Sequence, residues 1–411
     1  MEMSDQQFSG KEYDELIKPI MITAKIISIW PLAEDSSKGA ILFRRFHLFC
    51  MFSLAIVMSI AVTADVVHNI DDLNEATECA LICTAFYLCV VRLLVYSLHQ
   101  KDMFYVVKTM KEDWILSSHE DRTILAEKTM FAFRLAKYFI STVAITIVLF
   151  MCIPFLEIYL FGSNERVLPF RGYFFINHTI SPVFECLYFF NVTAGGFGGS
   201  MIAGATSFNL VVIMHGSGKF AVLRKRLEAL SGEDPNSTVT MNNYVIRHQK
   251  AIEWASLVLS RICTLICWMY DVVARYADAL ERIINVLALG QFIISTGLIC
   301  FAGFQITSMM KDKGRLMKYS TFLNSAILEL FMFSFSGNGL IDESGAVGDS
   351  AYGSGWIGSR FSQNLQIMMM RARIPSKITA AKFYAMSLES FSAVLSTSFS
   401  YFTVLTATEG D

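Results

Sequence analysis

The sequence predicts an all-α polytopic membrane protein with seven transmembrane helices, a cytosolic N-terminus and an extracellular C-terminus. Only 17% of the 411 residues are charged and 54% are hydrophobic, whereas a soluble domain carries about 25% charged residues. The charges are clustered, which leaves apolar runs long enough to cross about 30 Å of hydrocarbon. These runs lack the alternation typical of a membrane β-barrel, so helices must satisfy their backbone groups in lipid.

The predicted spans are bounded by the charged residues that interrupt the apolar runs. In chain order they are Phe46 to Ala64, Cys79 to Leu98, Tyr138 to Leu156, part of Cys186 to Gly218, part of Ile283 to Met310, Tyr319 to Leu340 and Ser390 to Thr408. The predicted regions are a cytosolic segment 1–45, helices 1–6 within 46–340, a cytosolic anchor segment 341–380, and the last helix with a short extracellular tail, 381–411.

The block 254–275 is apolar but does not fit this scheme. Its uncharged stretch between Arg261 and Asp271 is too short to cross the bilayer. A crossing here would also invert everything downstream. We therefore expect an atypical insertion that lies in the cytosol or at the membrane interface.

Loop charge predicts the orientation, because cytosolic loops carry an excess of Lys and Arg. With the N-terminus inside, twenty-eight of the 34 Lys and Arg residues are cytosolic. The basic loop from Lys311 to Lys318 is a local exception on the outer side. The net charge of −2 offers no electrostatic attraction to nucleic acid, and no cofactor, metal or catalytic motif is expected.

The outer halves of several spans are rich in aromatic residues and methionine, which could line an apolar cavity for a small hydrophobic ligand. These candidates are Phe86, Tyr87, Phe150, Met151, Phe189, Phe190, Phe197, Tyr319 and Phe322. Ordinary helix packing or lipid contact is the alternative for each of them. The glycines between Gly195 and Gly199 allow close helix approach or leave room for a ligand.

Two ionisable residues fall inside predicted spans, where charge is costly. Arg92 is close to one end, so we expect it to extend to the cytosolic interface. Glu329 is near mid-depth and could be hydrogen-bonded in the bundle, line a wet cavity, or be neutral. We favour a structural role over ligand or ion handling.

The last span is rich in hydroxyl side chains, including Ser400 and Thr408. One face could line a water-filled pore in which Val404 gates by dewetting, or the hydroxyls could bond between helices. Before it, an apolar helical stripe predicts a cytosolic amphipathic helix that packs on protein or on the membrane surface. The stripe contains Trp356, Phe361, Leu365 and Met369.

The C-terminal third resembles the insect odorant receptor family, and the resemblance extends over nearly the whole chain. The matching runs are GNGLIDES (337–344), Ala351-Tyr352, Trp356, MMMRARIP (368–375) and SLESFSAVLSTSFSYFTVL (387–405), with Leu168-Pro169-Phe170, Ser181-Pro182, His248-Gln249 and Ala279-Leu280-Glu281 upstream. The family pattern is closer without the block 254–275, which is thus a genuine insertion or a gene-model artefact.

The resemblance implies a subunit of a non-selective cation channel that assembles as a heterotetramer with a shared co-receptor in the plasma membrane of an olfactory neuron dendrite. Odorants would bind among the second, third, fourth and sixth helices, and the cytosolic helix would anchor the subunits. Val404 would be a gate residue. Thr408 departs from the hydrophobic residue of co-receptors, and the long fourth-to-fifth loop of co-receptors is missing, so a ligand-tuning subunit is implied.

Other classes remain open at this point. A gustatory-type ligand-gated channel would share the same architecture. A G-protein-coupled receptor would place the N-terminus outside, against the charge distribution, and no NPxxY pattern is present. A transporter would need internal repeats. Asn177 begins an Asn-His-Thr triplet in an outer loop and could accept a glycan.

Overall fold

The computed structural model describes residues 2–33, 35–161, 167–176, 180–229, 255–308, 313–354 and 362–409, which form a bundle of long helices. The elements are α1 (Glu2–Ile26), α2 (Lys38–His68), α3 (Leu73–Leu98), α4 (Gln100–Leu116), α5 (His119–Phe161), α6 (Val183–Glu228), α7 (Ala255–Ser308), α8 (Lys313–Gly353), α9 (Ser362–Ala372), β1 (Thr379–Ala380), β2 (Tyr384–Ala385) and α10 (Leu388–Glu409).

Each of the seven predicted spans falls on a separate long helix. Among the described residues, α2, α3, α5, α6 and α7 are long and apolar enough to cross a membrane on their own. The remaining two predicted spans form α8 and α10, in which a glutamate, glycines and hydroxyl side chains dilute the apolar residues. The predicted end of the fifth span at Met310 lies outside the described residues.

Side-chain caps explain where two of the spanning helices begin. The Ser37 hydroxyl accepts a hydrogen bond from the Ala40 amide at the start of α2. The Asp72 carboxylate accepts from the amides of Asn74 and Glu75 at the start of α3. Each cap satisfies amides that a helix leaves without an intrahelical partner.

The centre of the bundle is α6, which packs on α5 and α8. The most apolar part of α6 is 89% buried, so protein rather than lipid surrounds it. The N-terminal segment also packs on this core. Helix α1 is amphipathic and contacts α6, and its residues Ile20 and Ala24 are buried. A Cβ on Gly204 would lie 2.7 Å from Ile27 Cδ1, so glycine there permits the close approach.

The described residues of the apolar block, 255–275, do not form a separate helix. They begin α7, which continues without interruption for 54 residues. A helix of that length extends about 80 Å, far more than the hydrocarbon thickness, so part of it must lie outside the lipid. Further along, the Tyr276 hydroxyl donates to the Val212 carbonyl at 2.9 Å and ties α7 to α6.

An ion-pair cluster joins the short helix α4 to α6. The carboxylate of Asp113 lies 3.0 Å from His215 Nε2 and 2.8 Å from Lys219 Nζ. Burial alone would raise the pKa of Asp113, but His215 and Lys219 outweigh it and hold the pKa below its ordinary value. The carboxylate is therefore ionised at neutral pH, and the cluster fixes α4 against the core.

A two-stranded antiparallel hairpin precedes the last helix. Thr379 pairs with Ala385 and Ala380 with Tyr384, and the turn between them has positive φ at Ala381 and at Lys382. The Glu281 carboxylate on α7 accepts the Thr379 amide at 2.8 Å and also its hydroxyl. The hairpin thus fixes the start of α10 to α7.

Candidate ligand cavity

An apolar cavity lies between α3, α5, α6 and α8, with one residue from α7 and one from the segment before α6. Its volume is about 90 Å³, several times the ~10–15 Å³ that one water needs on the same measure. Its lining is almost wholly apolar. The lining residues are Ile82, Ala85, Phe86, Cys89, Val143, Thr146, Ile147, Phe150, Phe170, Gly195, Gly198, Gly199, Ile202, Leu298, Phe322, Ser325, Ala326 and Glu329.

The roof of the cavity is a cluster of phenylalanine rings around Phe170. Phe170 stacks on Phe150 with ring centroids 5.3 Å apart and 17° between planes. It meets Phe86 edge to face at 6.3 Å. The Phe170 amide donates to Asn191 Oδ1 at 3.0 Å, which holds this non-helical segment against α6. Such pairs add about 0.5–1.5 kcal/mol beyond the burial of area.

Glycines on α6 create the space that these side chains occupy. A Cβ on Gly195 would lie 2.1 Å from the Phe170 ring, and a Cβ on Gly199 would lie 1.8 Å from Ile147 Cδ1. Neither contact is possible, so both positions exclude a side chain. The sequence left two interpretations of this glycine run, close packing or room for a ligand. Close packing holds at Gly195 and at Gly199, and both glycines also line the cavity.

A buried ion pair forms the inner end of the cavity. The Arg92 guanidinium donates to Glu329 Oε1 at 2.6 Å, and the two side chains are 1% and 4% exposed. Thr206 donates to the same oxygen at 2.7 Å, and Arg92 also donates to Gln291 Oε1. The expectation that Arg92 extends to the cytosolic interface is wrong, because a carboxylate inside the bundle compensates the charge where it lies. Glu329 has the expected structural role and also faces the cavity.

Two hydroxyls provide the remaining oxygen atoms of the lining. Thr146 Oγ1 lies 3.2 Å from Ser325 Oγ and 3.0 Å from the Thr142 carbonyl oxygen. Ser325 Oγ donates to the Thr321 carbonyl at 2.9 Å. The pair joins α5 to α8 across the cavity wall.

A charged layer covers the aromatic roof. Glu78 accepts a hydrogen bond from the Tyr319 hydroxyl and lies 3.6 Å from Arg171. Arg171 also pairs with Glu75 and lies 3.6 Å from Asp65. Since Arg171 follows Phe170 directly, these ion pairs hold the segment that supplies the central roof ring.

Three of the predicted ligand-binding residues line the cavity, namely Phe86, Phe150 and Phe322. They come from α3, α5 and α8, so the structure brings aromatic residues of three helices beside one space. Phe86 and Phe150 are 5% and 2% exposed. Phe322 packs 6.0 Å from Phe150, centroid to centroid.

The structure places the other predicted residues elsewhere. Tyr87 and Phe189 point outward, 47% and 74% exposed, while Phe197 is buried in the main core. Phe190 and Tyr319 pack near the cavity without lining it, and Met151 does not line it either. Tyr87, Met151 and Phe197 are each adjacent in sequence to a lining residue, and successive helix residues point about 100° apart, so these three side chains face other directions.

The cavity residues that sequence reasoning missed are mostly small, aliphatic or hydroxylated. Phe170 belongs to the Leu168-Pro169-Phe170 run that resembles the family, but it lies outside every predicted span. No pattern in the sequence therefore assigned it to a cavity between helices. Thr146 and Ser325 lacked a signal, because a hydroxyl in a span commonly bonds its own helix. Asn177, the predicted glycan acceptor, lies outside the described residues.

In α10, the hydroxyl side chains bond mainly within the helix itself. Ser400 donates to the Ser396 carbonyl at 3.0 Å, and Ser398 donates to the Val394 carbonyl at 2.8 Å. Val404 is 60% exposed in the single chain. For Thr408 the structure describes only the helical backbone. In the described part of α10, these hydroxyl protons are donated to carbonyls of the same helix and not to a neighbouring helix.

In α9, Leu365 is 2% exposed and Met369 packs against this chain's own core. Trp356 and Phe361 lie outside the described residues. The predicted apolar stripe therefore faces inward where it can be seen. Packing on protein, rather than on the membrane surface, describes these two side chains.

A bundle with five helices long and apolar enough to cross a membrane, and an apolar cavity between them, is the architecture of a multi-pass membrane protein. The family model for the 7tm odorant receptors matches residues 72–399. The chain belongs to the insect odorant receptor family, as its C-terminal motifs indicated.

The relatives cover most of the chain, and a solved structure shares its fold. Odorant receptor 13a of Drosophila melanogaster is 26% identical, with 97% of each chain covered. Odorant receptor 10 of Aedes albopictus is 23% identical over 85% of this chain and 88% of its own. The olfactory receptor OR5 of Machilis hrabei, solved in complex with eugenol, superposes with a TM-score of 0.78 at 14% identity, covering 97% of this chain and 99% of that one.

Proposed function

We propose that the chain is the odorant-binding subunit of a ligand-gated, non-selective cation channel and that small hydrophobic volatiles bind in the cavity. The observation that supports this is the apolar cavity beneath Phe170, lined by Phe86, Phe150 and Phe322. An apolar ligand gains free energy there by leaving water and by dispersion contact with the rings. Few polar contacts are needed, which suits volatile molecules.

Helix α8 provides the route from the cavity to α10. Its residues Phe322 and Glu329 line the cavity. Half a turn further, Phe331 meets Phe391 of α10 edge to face with centroids 5.8 Å apart. A ligand that binds one position of α8 more tightly than another shifts the population of that position. We infer that this shift moves α10.

In the assembled channel, α10 lines the ion path. Ser400 and Val404 are exposed in the single chain, as they would be beside water or a neighbouring subunit. Val404 forms a hydrophobic constriction that opens by wetting, and Thr408 lies one turn further along. The partner is the odorant co-receptor, in a heterotetramer in the plasma membrane of olfactory neurons. Monovalent and divalent cations pass through the pore.

Subunit contact involves the region around α9. Since Leu365 and Met369 face inward, the exposed side chains Met370, Ile374 and Phe383 offer the apolar surface for a neighbour, with exposures of 63%, 72% and 83%. This surface lies next to the hairpin that leads into α10. Trp356 and Phe361 belong to the same proposed anchor.

The test is the current evoked by a broad panel of volatiles after co-expression with the co-receptor. Ile202→Trp fills the cavity and should abolish the response, because overpacking leaves no room for a ligand. The matched control is Ile293→Trp on the outer face of α7, where Ile293 is 63% exposed, and it should respond normally. Silence of the normal chain across the panel, despite delivery to the surface, would refute the proposal.

A further inference from the structure

We propose that the cavity selects ligands that carry a hydrogen-bond donor, namely small alcohols and phenols, over ethers, ketones and hydrocarbons of the same skeleton. The inference rests on the proposed function, because it assigns a ligand class to that cavity. It follows from the side-chain polar atoms that reach the lining. These belong to Cys89, Thr146, Ser325 and Glu329.

Each side-chain proton in the lining already has an acceptor within the protein. The Cys89 thiol donates to the Gly198 carbonyl at 3.6 Å. Ser325 donates to the Thr321 carbonyl at 2.9 Å. A hydroxyl has one proton and two lone pairs, and the Thr146 proton goes to the Thr142 carbonyl at 3.0 Å or to Ser325 at 3.2 Å. What both hydroxyls retain is the ability to accept.

Glu329 adds a stronger acceptor. Its Oε1 takes both bonds from the bundle, from Arg92 at 2.6 Å and from Thr206 at 2.7 Å. As the partner of a guanidinium, the carboxylate offers acceptor oxygens. Among the described residues, no donor bonds its second oxygen, Oε2, although the residue lines the cavity. An occupant with an O–H group satisfies this oxygen, whereas an ether oxygen placed there meets another lone pair.

The phenylalanine rings and the carboxylate acceptor lie at different ends of the cavity. Phe170, Phe150 and Phe86 form the roof, and Glu329 lies at the inner end beside Arg92. A ligand with an apolar body and one terminal hydroxyl can therefore contact both at once. Specificity comes from the hydroxyl, because an apolar pocket alone separates similar skeletons poorly.

The experiment measures binding directly on the purified chain, by the shift in thermal unfolding with ligand concentration, so that it does not depend on channel opening. The ligand pairs are benzyl alcohol with benzyl methyl ether and 1-hexanol with 1-methoxyhexane. Hydrogen bonds to charged groups correspond to roughly tenfold or more in affinity. Each alcohol should bind about tenfold more tightly than its ether.

Variants separate recognition from packing. Glu329→Gln presents an amide that can donate, so it should reduce the preference for the alcohol to near unity and raise ether affinity. Should that variant fail to fold, Thr146→Val with Ser325→Ala removes two acceptors and should lower the preference at least threefold. Ile147→Val changes only an apolar lining residue, so it should affect alcohol and ether equally.

Equal or tighter binding of the ethers to the normal chain overturns the donor preference while leaving the cavity as a ligand site. A preference that survives both Glu329→Gln and the double hydroxyl variant also overturns it, because the selecting atom then lies elsewhere. If no member of either pair binds while other volatiles evoke current, the ligand class is refuted but the receptor function stands. If nothing binds and no current appears, the proposed function fails as well.

Discussion

At the level of single residues, the roof of the cavity depends on the missing side chain of Gly195. Gly195→Ala would place a methyl group 2.1 Å from the Phe170 ring, so the ring must leave its position over Phe150. We expect a loss of about 1–3 kcal/mol in stability and at least a tenfold rise in the half-maximal odorant concentration. Thermal unfolding and evoked current measure the two effects.

The neighbouring glycine supplies the matched control for that experiment. A Cβ on Gly196 would meet only Met151 Cε, at an ordinary 3.8 Å. Gly196→Ala should therefore leave both unfolding temperature and odorant sensitivity close to those of the normal chain. Equal behaviour of the two variants would show that Phe170 is not held by the α6 surface.

The Arg92–Glu329 pair provides a second test at this scale. Arg92→Met leaves the carboxylate of Glu329 buried without its guanidinium, which typically costs about 3–5 kcal/mol. Replacing both residues by Met removes the stranded charge and should restore most of the unfolding temperature. A double variant no more stable than Arg92→Met would mean that the pair does not act as a unit.

The sequence shows which residues are aromatic, but it does not show the direction in which each side chain points from its helix. Aromatic richness in the outer half-spans was the signal for Phe86, Phe150 and Phe322, which the structure places in the cavity lining. It gave no means to separate Phe86 from Tyr87, since one residue along a helix turns the side chain by about 100°. The role of Gly195 becomes visible only after Phe170, from a non-helical segment, has been placed against α6.

At the level of elements, the positions of the helices could be predicted because lipid permits few structures. The hairpin of β1 and β2 could not be, because two-residue strands leave no periodic pattern in a sequence. Likewise α1 was expected only as a polar cytosolic segment, whereas its buried stripe packs on α6. Long-range contacts determine both features, and a local pattern carries little information about them.

The bonds between the hairpin and α7 should be needed for gating. Glu281→Ala removes the acceptor of the Thr379 amide and hydroxyl, and an unpaired buried donor costs about 1–3 kcal/mol. Because the hairpin fixes the start of α10, odorant-evoked current should fall several-fold while odorant binding is retained. Asp278→Ala, one turn earlier on the exposed side of α7, should leave the current unchanged. Equal currents in both variants would separate the hairpin from gating.

At the scale of the whole molecule, we expect the seven predicted spans to place the two chain ends on opposite sides of the membrane. Twenty-eight of the 34 Lys and Arg residues then fall in the segments on the side of the N-terminus, counting Arg92, which is buried in the bundle. The loop-charge rule makes that side cytosolic. An epitope tag before Met1 should be stained only after permeabilisation, and a tag after Asp411 should be stained on intact cells. Deleting 254–275 tests the same arrangement, because a stretch that does not cross can be lost without moving the C-terminal tag. Both tags on one side would show an even number of crossings, and the cavity roof could then no longer be assigned to the outer face. A C-terminal tag that changes side in the deletion would show that the block itself crosses the membrane.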